Sequence, residues 1–197
     1  MQRSMSVVER NLPAKMVRVS LDSVPEFALP AGFSLRWYQP GDEENWRQIH
    51  LAADCYNKIT PELFQHQFGT DERLLRDRQC YLLDPRSEVI GTGTAWFNDN
   101  FEGVRFGRVH WMAIVPEFQG RGLAKSLMTV ICRRLRELGH DRAYLSTSSA
   151  RRPAINLYLR FGFVPLLRSE KETAVWRTLS RRLLRGGKKD TGQPGKC

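Results

Sequence analysis

The sequence predicts one α/β domain built on a mixed sheet with helices on both faces, and three observations carry that expectation. First, Val109 to Val115 is almost wholly apolar and is stopped by Pro116, which cannot donate to a sheet ladder, so a buried strand ends there. Second, apolar residues recur from Gly122 at Leu123, Leu127, Val130, Ile131, Leu135 and Leu138, while Arg133, Arg134, Arg136 and Glu137 lie off the stripe. That period predicts a helix running to Gly139. Third, Pro153 opens another stripe, Ala154, Leu157, Tyr158 and Phe161, which Gly162 ends. With the flanking strands the order is strands and two helices, then strand, helix, strand, helix, strand, strand. A chain of 197 residues, 41% apolar and 26% charged, has ordinary globular composition and enough length for one real core.

From the start, residues 1–32 are expected as an extension laid against the domain. Met16 to Leu21 is a strand candidate, and Pro25 and Pro30 predict an extended connector. Phe33 to Tyr38 alternates as the first strand of a domain expected at 33–180. Pro40-Gly41-Asp42 is a turn, with Asp42 placed to cap a helix carrying Trp46, Ile49 and His50. Thr60-Pro61-Glu62-Leu63 starts a second helix, Thr as N-cap and Pro at the first helical position. Cys80–Leu83 and Val89–Phe97 read as strands joined around Asp84-Pro85, and Asn98-Asp99-Asn100 turns the chain back toward Val109. Ala143 to Thr147 is a short strand. Phe163–Leu167 and Thr173–Leu179 are expected as a terminal antiparallel pair, and no internal repeat is visible.

The net charge of +10 invites a nucleic-acid reading, but half of it sits in a tail, where Arg181, Arg182, Arg185, Lys188, Lys189 and Lys196 oppose only Asp190. Residues 181–197, rich in Gly from Gly186 onward, are expected as a basic, disordered tail. No aromatic residue is interleaved there to stack on bases, so no specific nucleic-acid partner is expected. The remaining excess suits an enzyme that holds a polyanion. No apolar run is long enough to span a bilayer and the first residues lack an apolar leader, so a cytoplasmic protein with no membrane partner is expected. Cys55, Cys80, Cys132 and Cys197 have neither a C-x-x-C nor a metal-ligand spacing, and His50, His66, His110 and His140 are equally scattered. Free thiols and no metal are the expectation. A homodimer is compatible with the sequence.

Between the central strand and helix lies Gln119-Gly120-Arg121-Gly122-Leu123-Ala124. Its glycines allow a sharp turn that points successive N–H groups at one spot, ahead of a helix whose first N–H groups have no internal partner. An ordinary strand-to-helix turn is one reading, and an anion cradle is the other. The loop is not a Walker loop, which ends Gly-Lys-Ser/Thr, nor a dinucleotide fingerprint, which needs a third glycine. It resembles, position for position, the Q/R-x-x-G-x-G/A coenzyme A loop of the GNAT superfamily of N-acetyltransferases. Ala154-Ile155-Asn156-Leu157-Tyr158-Leu159-Arg160-Phe161-Gly162-Phe163 is likewise similar to that family's A-I-x-L-Y-x-x-x-G-F segment. The resemblance implies a mostly antiparallel twisted sheet of six to seven strands, and acetyl-CoA as co-substrate with no metal.

Residue by residue, the resemblance implies that the backbone of Met112, Ala113 and Ile114 pairs with the pantetheine arm, an N–H there steadying the thioester oxyanion. Gln119, Gly120, Arg121, Gly122, Leu123, Ala124 and Lys125 form the pyrophosphate cradle. Tyr158 becomes the general acid that protonates the leaving thiolate, a task for which a phenol of pKa about 10 is well matched; its other reading is a core Tyr with a tied hydroxyl. His110, two residues before Met112 and so expected on the same strand face, is the candidate base, against a structural histidine as the alternative. Two departures stand out: Arg108 occupies a position where some histone-acetylating relatives place a Glu base, and Arg151 replaces an Asn that in many relatives holds the cofactor or a water.

The expected reaction is direct acetyl transfer to an amine acceptor, a small molecule or a peptide, with no cysteine placed for a covalent intermediate. Trp37, Tyr38, Trp96, Phe97, Phe101 and Trp111 are candidates to wall an acceptor pocket, with core packing as their plainer role. A protein N-terminal or lysine acetyltransferase with an open groove, and a non-catalytic acyl-CoA sensor, are the rival classes.

Overall fold

The computed structural model describes residues 11–185. Seven strands form one sheet: β1 (Pro13–Arg18), β2 (Ser34–Trp37), β3 (Gln79–Leu83), β4 (Val89–Phe101), β5 (Val104–Ile114), β6 (Ala143–Ser148) and β7 (Val164–Pro165). Their spatial order is β2-β3-β4-β5-β6-β1-β7. All pairings are antiparallel except β5 with β6. The helices are α1 (Asp42–Ala53), α2 (Leu63–Phe68), α3 (Glu72–Arg78), α4 (Leu123–Glu137), α5 (Arg152–Arg160) and α6 (Glu170–Arg185). This is the mixed, mostly antiparallel sheet with helices on both faces that the sequence predicts.

Two apolar layers hold the helices on the sheet. Leu123, Leu127, Ile131 and Leu135 of α4 join Val109, Ile114, Leu145 and, from α5, Ile155 on one side. Trp46, Ile49, Phe64, Phe68 and Leu75 join Tyr81, Trp96, Trp111 and Ala113 on the other. Leu127 is fully buried, and truncating such a side chain to Ala costs about 2–5 kcal/mol. Glycine lets α4 sit close to the strands: a Cβ on Gly93 would lie 3.2 Å from Met112 Cγ and 3.3 Å from Ile131 Cγ1. The Pro25–Pro30 connector forms neither helix nor strand and straps α4. Phe27 N–H donates to Thr129 Oγ1 at 3.1 Å, and Ser126 Oγ donates to the Ala28 carbonyl at 2.7 Å. Two polar residues on the buried side of α4 are thereby satisfied.

Several predicted elements differ, each for a local reason. Thr173–Leu179, expected as a strand, lies within α6. The sequence Ser169-Glu170-Lys171-Glu172 is a helix start, with Ser169 Oγ accepting from Glu172 N–H at 3.2 Å and the Glu172 carboxylate accepting from Arg168 N–H at 2.6 Å. Trp176 and Leu179 are then buried at helical spacing. Without that partner strand, and with Pro165 in it, β7 shrinks to two residues and pairs with β1.

The β4–β5 turn falls at Glu102-Gly103, both at positive φ as a two-residue hairpin turn requires, and not at Asn98-Asp99-Asn100, which lies within β4. Residues 13–18, inside the expected extension, pair with β6 on one edge and β7 on the other, so β1 is an interior strand and begins three residues before the predicted Met16. Helix α3 was not foreseen; Asp71 caps it by accepting from Arg73 and Leu74 N–H. The expected tail begins at 181, but α6 continues to Arg185. Residues 186–197, including Cys197, lie outside the described residues.

Candidate active site

The parallel strands β5 and β6 pair only at Gly107↔Ala143 and Arg108↔Tyr144. Beyond that point they fork, and β5 from Val109 to Ile114 keeps β4 on one edge and has no ladder on the other. Its register against β4 jumps between Thr92↔Ala113 and Thr94↔His110, so Trp111 and Met112 together face Gly93. Trp111 takes φ 45°. This is a β-bulge, and holding a bulky residue at positive φ costs of order 1–3 kcal/mol.

The bulge overturns the expectation that His110 and Met112 share a face. His110 lies against Phe68 of α2, ring centroids 5.4 Å apart, and Trp111 against Trp46 of α1 at 5.1 Å. Met112 instead turns toward Gly93 and Ile131 on the α4 side. One inserted residue therefore breaks the period-two rule on which the expectation rested.

At the far end of β5 the chain turns through Gly120 and Gly122, at φ 77° and 84°. A Cβ on either would meet nothing within 4 Å, so the space beside both α-carbons is open. Gly122 is the N-cap of α4 and no side chain caps that end, leaving Leu123 and Ala124 N–H at the positive end of the helix dipole. Gln119 Nε2 donates to the Ile114 carbonyl at 2.8 Å, tying the loop to the strand it follows. Arg121 donates to the Glu117 carbonyl at 3.1 Å and covers Phe118, while the Lys125 ammonium lies 5.5 Å from the Phe27 ring centre. Neither has an acidic partner among the described residues. The turn fits a phosphate-bearing ligand held by main-chain N–H groups.

Tyr158 is buried on α5, and its hydroxyl makes no hydrogen bond to a described residue, which removes the tied-hydroxyl reading. Burial pushes its pKa up, opposed by the charge of Arg151, so the phenol is protonated at neutral pH. Arg151, the N-cap residue of α5, donates to both carboxylate oxygens of Asp54 at 2.8 and 2.9 Å and lies over the Tyr56 ring. Asp54 also accepts from Tyr56 and Asn57 N–H, so one carboxylate organises the end of α1 and fastens it to the start of α5. The departure at position 151 is thus a structural clasp.

His50, which the sequence reading left scattered, comes beside His110. Its ring is 4.9 Å from that of Trp111 and 4.4 Å from that of Trp46. Neither His50 ring nitrogen nor His110 Nε2 has a hydrogen-bond partner. Burial holds His50 at about 4 and His110 well below its ordinary value, the latter helped by the charge of Arg108. Both imidazoles are neutral near pH 7. Thr147 Oγ1 and Ser148 Oγ, on β6 past the fork, are also buried and unpartnered. Unsatisfied polar atoms thus collect on both strands where they separate, as a site built for a polar occupant requires.

The aromatic residues offered as pocket walls are dispersed. Trp96 and Trp111 lie on the α1–α2 side with Phe68 and Trp46, and Tyr38 stacks on Phe64. Phe97 lies under Arg78, Trp37 under Arg134, and Phe101 on Tyr144. Cys80 and Cys132 are free but buried, which pushes both thiols up to about 12. His50, Asp54 and the Trp111 bulge are what sequence reasoning missed.

The architecture is thus a mixed sheet whose one parallel pair forks beside a glycine turn at a helix start. The acetyltransferase (GNAT) family model matches residues 44–163, and the chain belongs to that family. Among curated relatives, mycothiol acetyltransferase of Pseudarthrobacter chlorophenolicus is 32% identical over 145 residues, covering 71% of this chain and 45% of the relative. The Streptomyces coelicolor mycothiol acetyltransferase is 32% identical over 151 residues, with 72% and 46% covered. The chain therefore spans about half the length of these relatives. Among solved structures, a GCN5-related N-acetyltransferase from Sphaerobacter thermophilus superposes with TM-score 0.65 at 21% identity, covering 78% of this chain and 48% of the other. The ribosomal-protein-S18-alanine N-acetyltransferase of Escherichia coli does so with TM-score 0.56 at 17% identity, covering 68% and 79%. These two establish the fold.

Proposed function

We propose that the chain transfers an acetyl group from acetyl-CoA directly to the amine of a small molecule. The observation that carries this reading is the free edge of β5 past the fork, leading into the open Gly120–Gly122 turn. Main-chain N–H groups of Gly120 to Lys125 hold the pyrophosphate, and Met112, Ala113 and Ile114 receive the pantetheine arm as an added strand. One of their N–H groups steadies the oxyanion. The acceptor nitrogen attacks the thioester carbon, and the C–N bond forms as C–S breaks. His110 takes the proton from nitrogen, directly or through water, and Tyr158 gives its proton to sulfur; both groups reset with solvent.

His110 on the α1–α2 side supports acceptor entry from that face, and the aromatic wall of Trp46, Phe68, Trp96 and Trp111 there favours a small acceptor over an open peptide groove. Mycothiol acetyltransferases among the relatives agree with that preference. The catalytic domain is taken as residues 33–180, completed by β1. No helix among the described residues is long and apolar enough to cross a membrane, and buried free thiols at Cys80 and Cys132 suit a reducing, cytoplasmic setting.

The test is CoA release from acetyl-CoA with a panel of amines. Tyr158→Phe is expected to lower kcat by roughly 10²–10⁴-fold with acetyl-CoA affinity little changed. An unchanged kcat removes Tyr158 from its role, and no calorimetric heat with saturating acetyl-CoA removes the reading altogether.

A further inference from the structure

Arg108 stands at the root of the fork, in the last residue pair before β5 and β6 separate. Its guanidinium is half-buried and lies 5.6 Å from the centre of the Tyr144 ring, yet it has neither an ion pair nor a hydrogen bond to any described residue. Its Nε is fully buried and unpartnered. A desolvated cation without an anion is costly, and native structures supply a counter-charge. No carboxylate of the described residues bears on it; the one group that does is Tyr144.

The surroundings are arranged for an anion. Tyr144 stacks on Phe101 with ring centres 3.8 Å apart, and the Lys15 ammonium lies 5.8 Å from the Phe101 ring centre, again with no acidic partner among the described residues. By contrast, Arg142 and Arg168 on the same aromatic cluster are neutralised, by Asp141 and by Glu102. The two unpaired cations lie against different rings of this stack, Arg108 on Tyr144 and Lys15 on Phe101, and Lys15 lines a separate cleft of about 260 Å³ between β1 and α6. Toward the thioester, the unpartnered, nine-tenths buried His110 is the next residue but one along β5.

We propose that Arg108 anchors a carboxylate on the acceptor, so that the chain acts on primary amines whose carboxylate lies several bonds from the nitrogen. This rests on the acetyl-transfer reading above. The distance follows from strand geometry: three steps along β5 lead from Arg108 to Trp111 and four to Met112, where the acyl arm is received, about 10–13 Å at ~3.3 Å per residue, less what the bulge takes up. An acceptor bridging the anchor and the thioester must span most of that length, which excludes α-amino acids whose two charges share one carbon.

The experiment measures kcat/KM with glycine, 4-aminobutanoate, 6-aminohexanoate and the primary amide of each, with 3-aminopropyl phosphate as a further acceptor. A charge-assisted, bidentate contact is expected to favour 6-aminohexanoate over its amide by roughly tenfold or more, with glycine poor. In Arg108→Gln that ratio falls to about one, and Arg108→Lys keeps part of it. Equal rates for acid and amide in the unmutated chain, or a ratio that survives in Arg108→Gln, overturn the proposal. A phosphate acceptor better than every carboxylate overturns the carboxylate assignment. Should no amine be acetylated, the transfer reading fails separately. Calorimetry of 6-acetamidohexanoate and its amide against the CoA-loaded chain then decides, equal affinities counting against the anchor.

Discussion

Acid pH should destabilise this chain through His50, and the size of the effect follows from its surroundings. The ring is 2% exposed, wedged between Trp46 and Trp111, with both nitrogens unpartnered. Burial is the leading cause that holds it at about 4; Arg151 adds to the depression, and Asp54 and the Trp111 main chain oppose it. The unfolded chain protonates this residue near its ordinary 6.5 while the folded chain does not. Stability is therefore complete above pH 6.5, falls as pH drops below it, and levels off below about 4. At 1.36 kcal/mol per pH unit the full loss is about 3 kcal/mol, and about 2 kcal/mol is already gone at pH 5.

Urea denaturation at pH 7 and pH 5 measures the loss, with His50→Phe as the comparison because an apolar ring suits the aromatic neighbours. The unmutated chain should lose about 2 kcal/mol more than the variant between those pH values. Carboxylates common to both chains cancel in the difference. Equal losses in the two proteins would mean that the imidazole is not kept neutral by burial.

Two further outcomes follow from the site. Gly122→Val forces a β-branched residue to φ 84° at the N-cap of α4, a strain of about 1–2 kcal/mol that lowers the thermal midpoint modestly, while the side chain enters the open turn and abolishes acetyl-CoA binding by calorimetry. Retained affinity would remove the turn from the cofactor site. Arg151→Gln leaves Asp54, whose side chain is 4% exposed, without its cation and should cost about 3 kcal/mol in urea melts. Much of that loss should be recovered in the double variant with Asp54→Asn, and purely additive effects would show that the two residues do not form one clasp.

The turn and strand edge proposed to hold the cofactor were legible in the sequence because they are made of backbone. A free strand edge, two glycines and a helix start depend on a contiguous run from Val109 to Lys125, and contiguous runs are what periodicity and turn chemistry read. The rest was legible only in part: His110, Arg151 and Tyr158 were singled out through the family resemblance, but His50 and Asp54 from α1, which join them from distant positions, were not. No spacing brings these together before the sheet order is known. The bulge escaped for another reason, since Trp111 at φ 45° offers no Gly or Asn as a marker. α6 was misread although its signal was present: Thr173–Leu179 alternates well enough for a strand, but Ser169 and Glu172 form a capping pair that overrides it.

The bulge also explains why the two halves can meet. In a regular strand His110 and Met112 would look the same way, and acceptor and acyl arm would compete for one face of the sheet. With one extra residue opposite Gly93, His110 and Trp111 both turn to the α1–α2 side while Met112 stays with α4. The bulge falls in the part of β5 that β6 has already left. Burial is the leading cause that holds each imidazole on this side down; Arg108 adds to it at His110, and Arg151 adds the smallest contribution at His50. Arg151 is neutralised by Asp54, but Arg108 has no such partner. An acceptor carboxylate docked at Arg108 would offset the lesser of the two effects on His110, so the proposed base would gain some basicity with the acceptor in place while burial still holds it low.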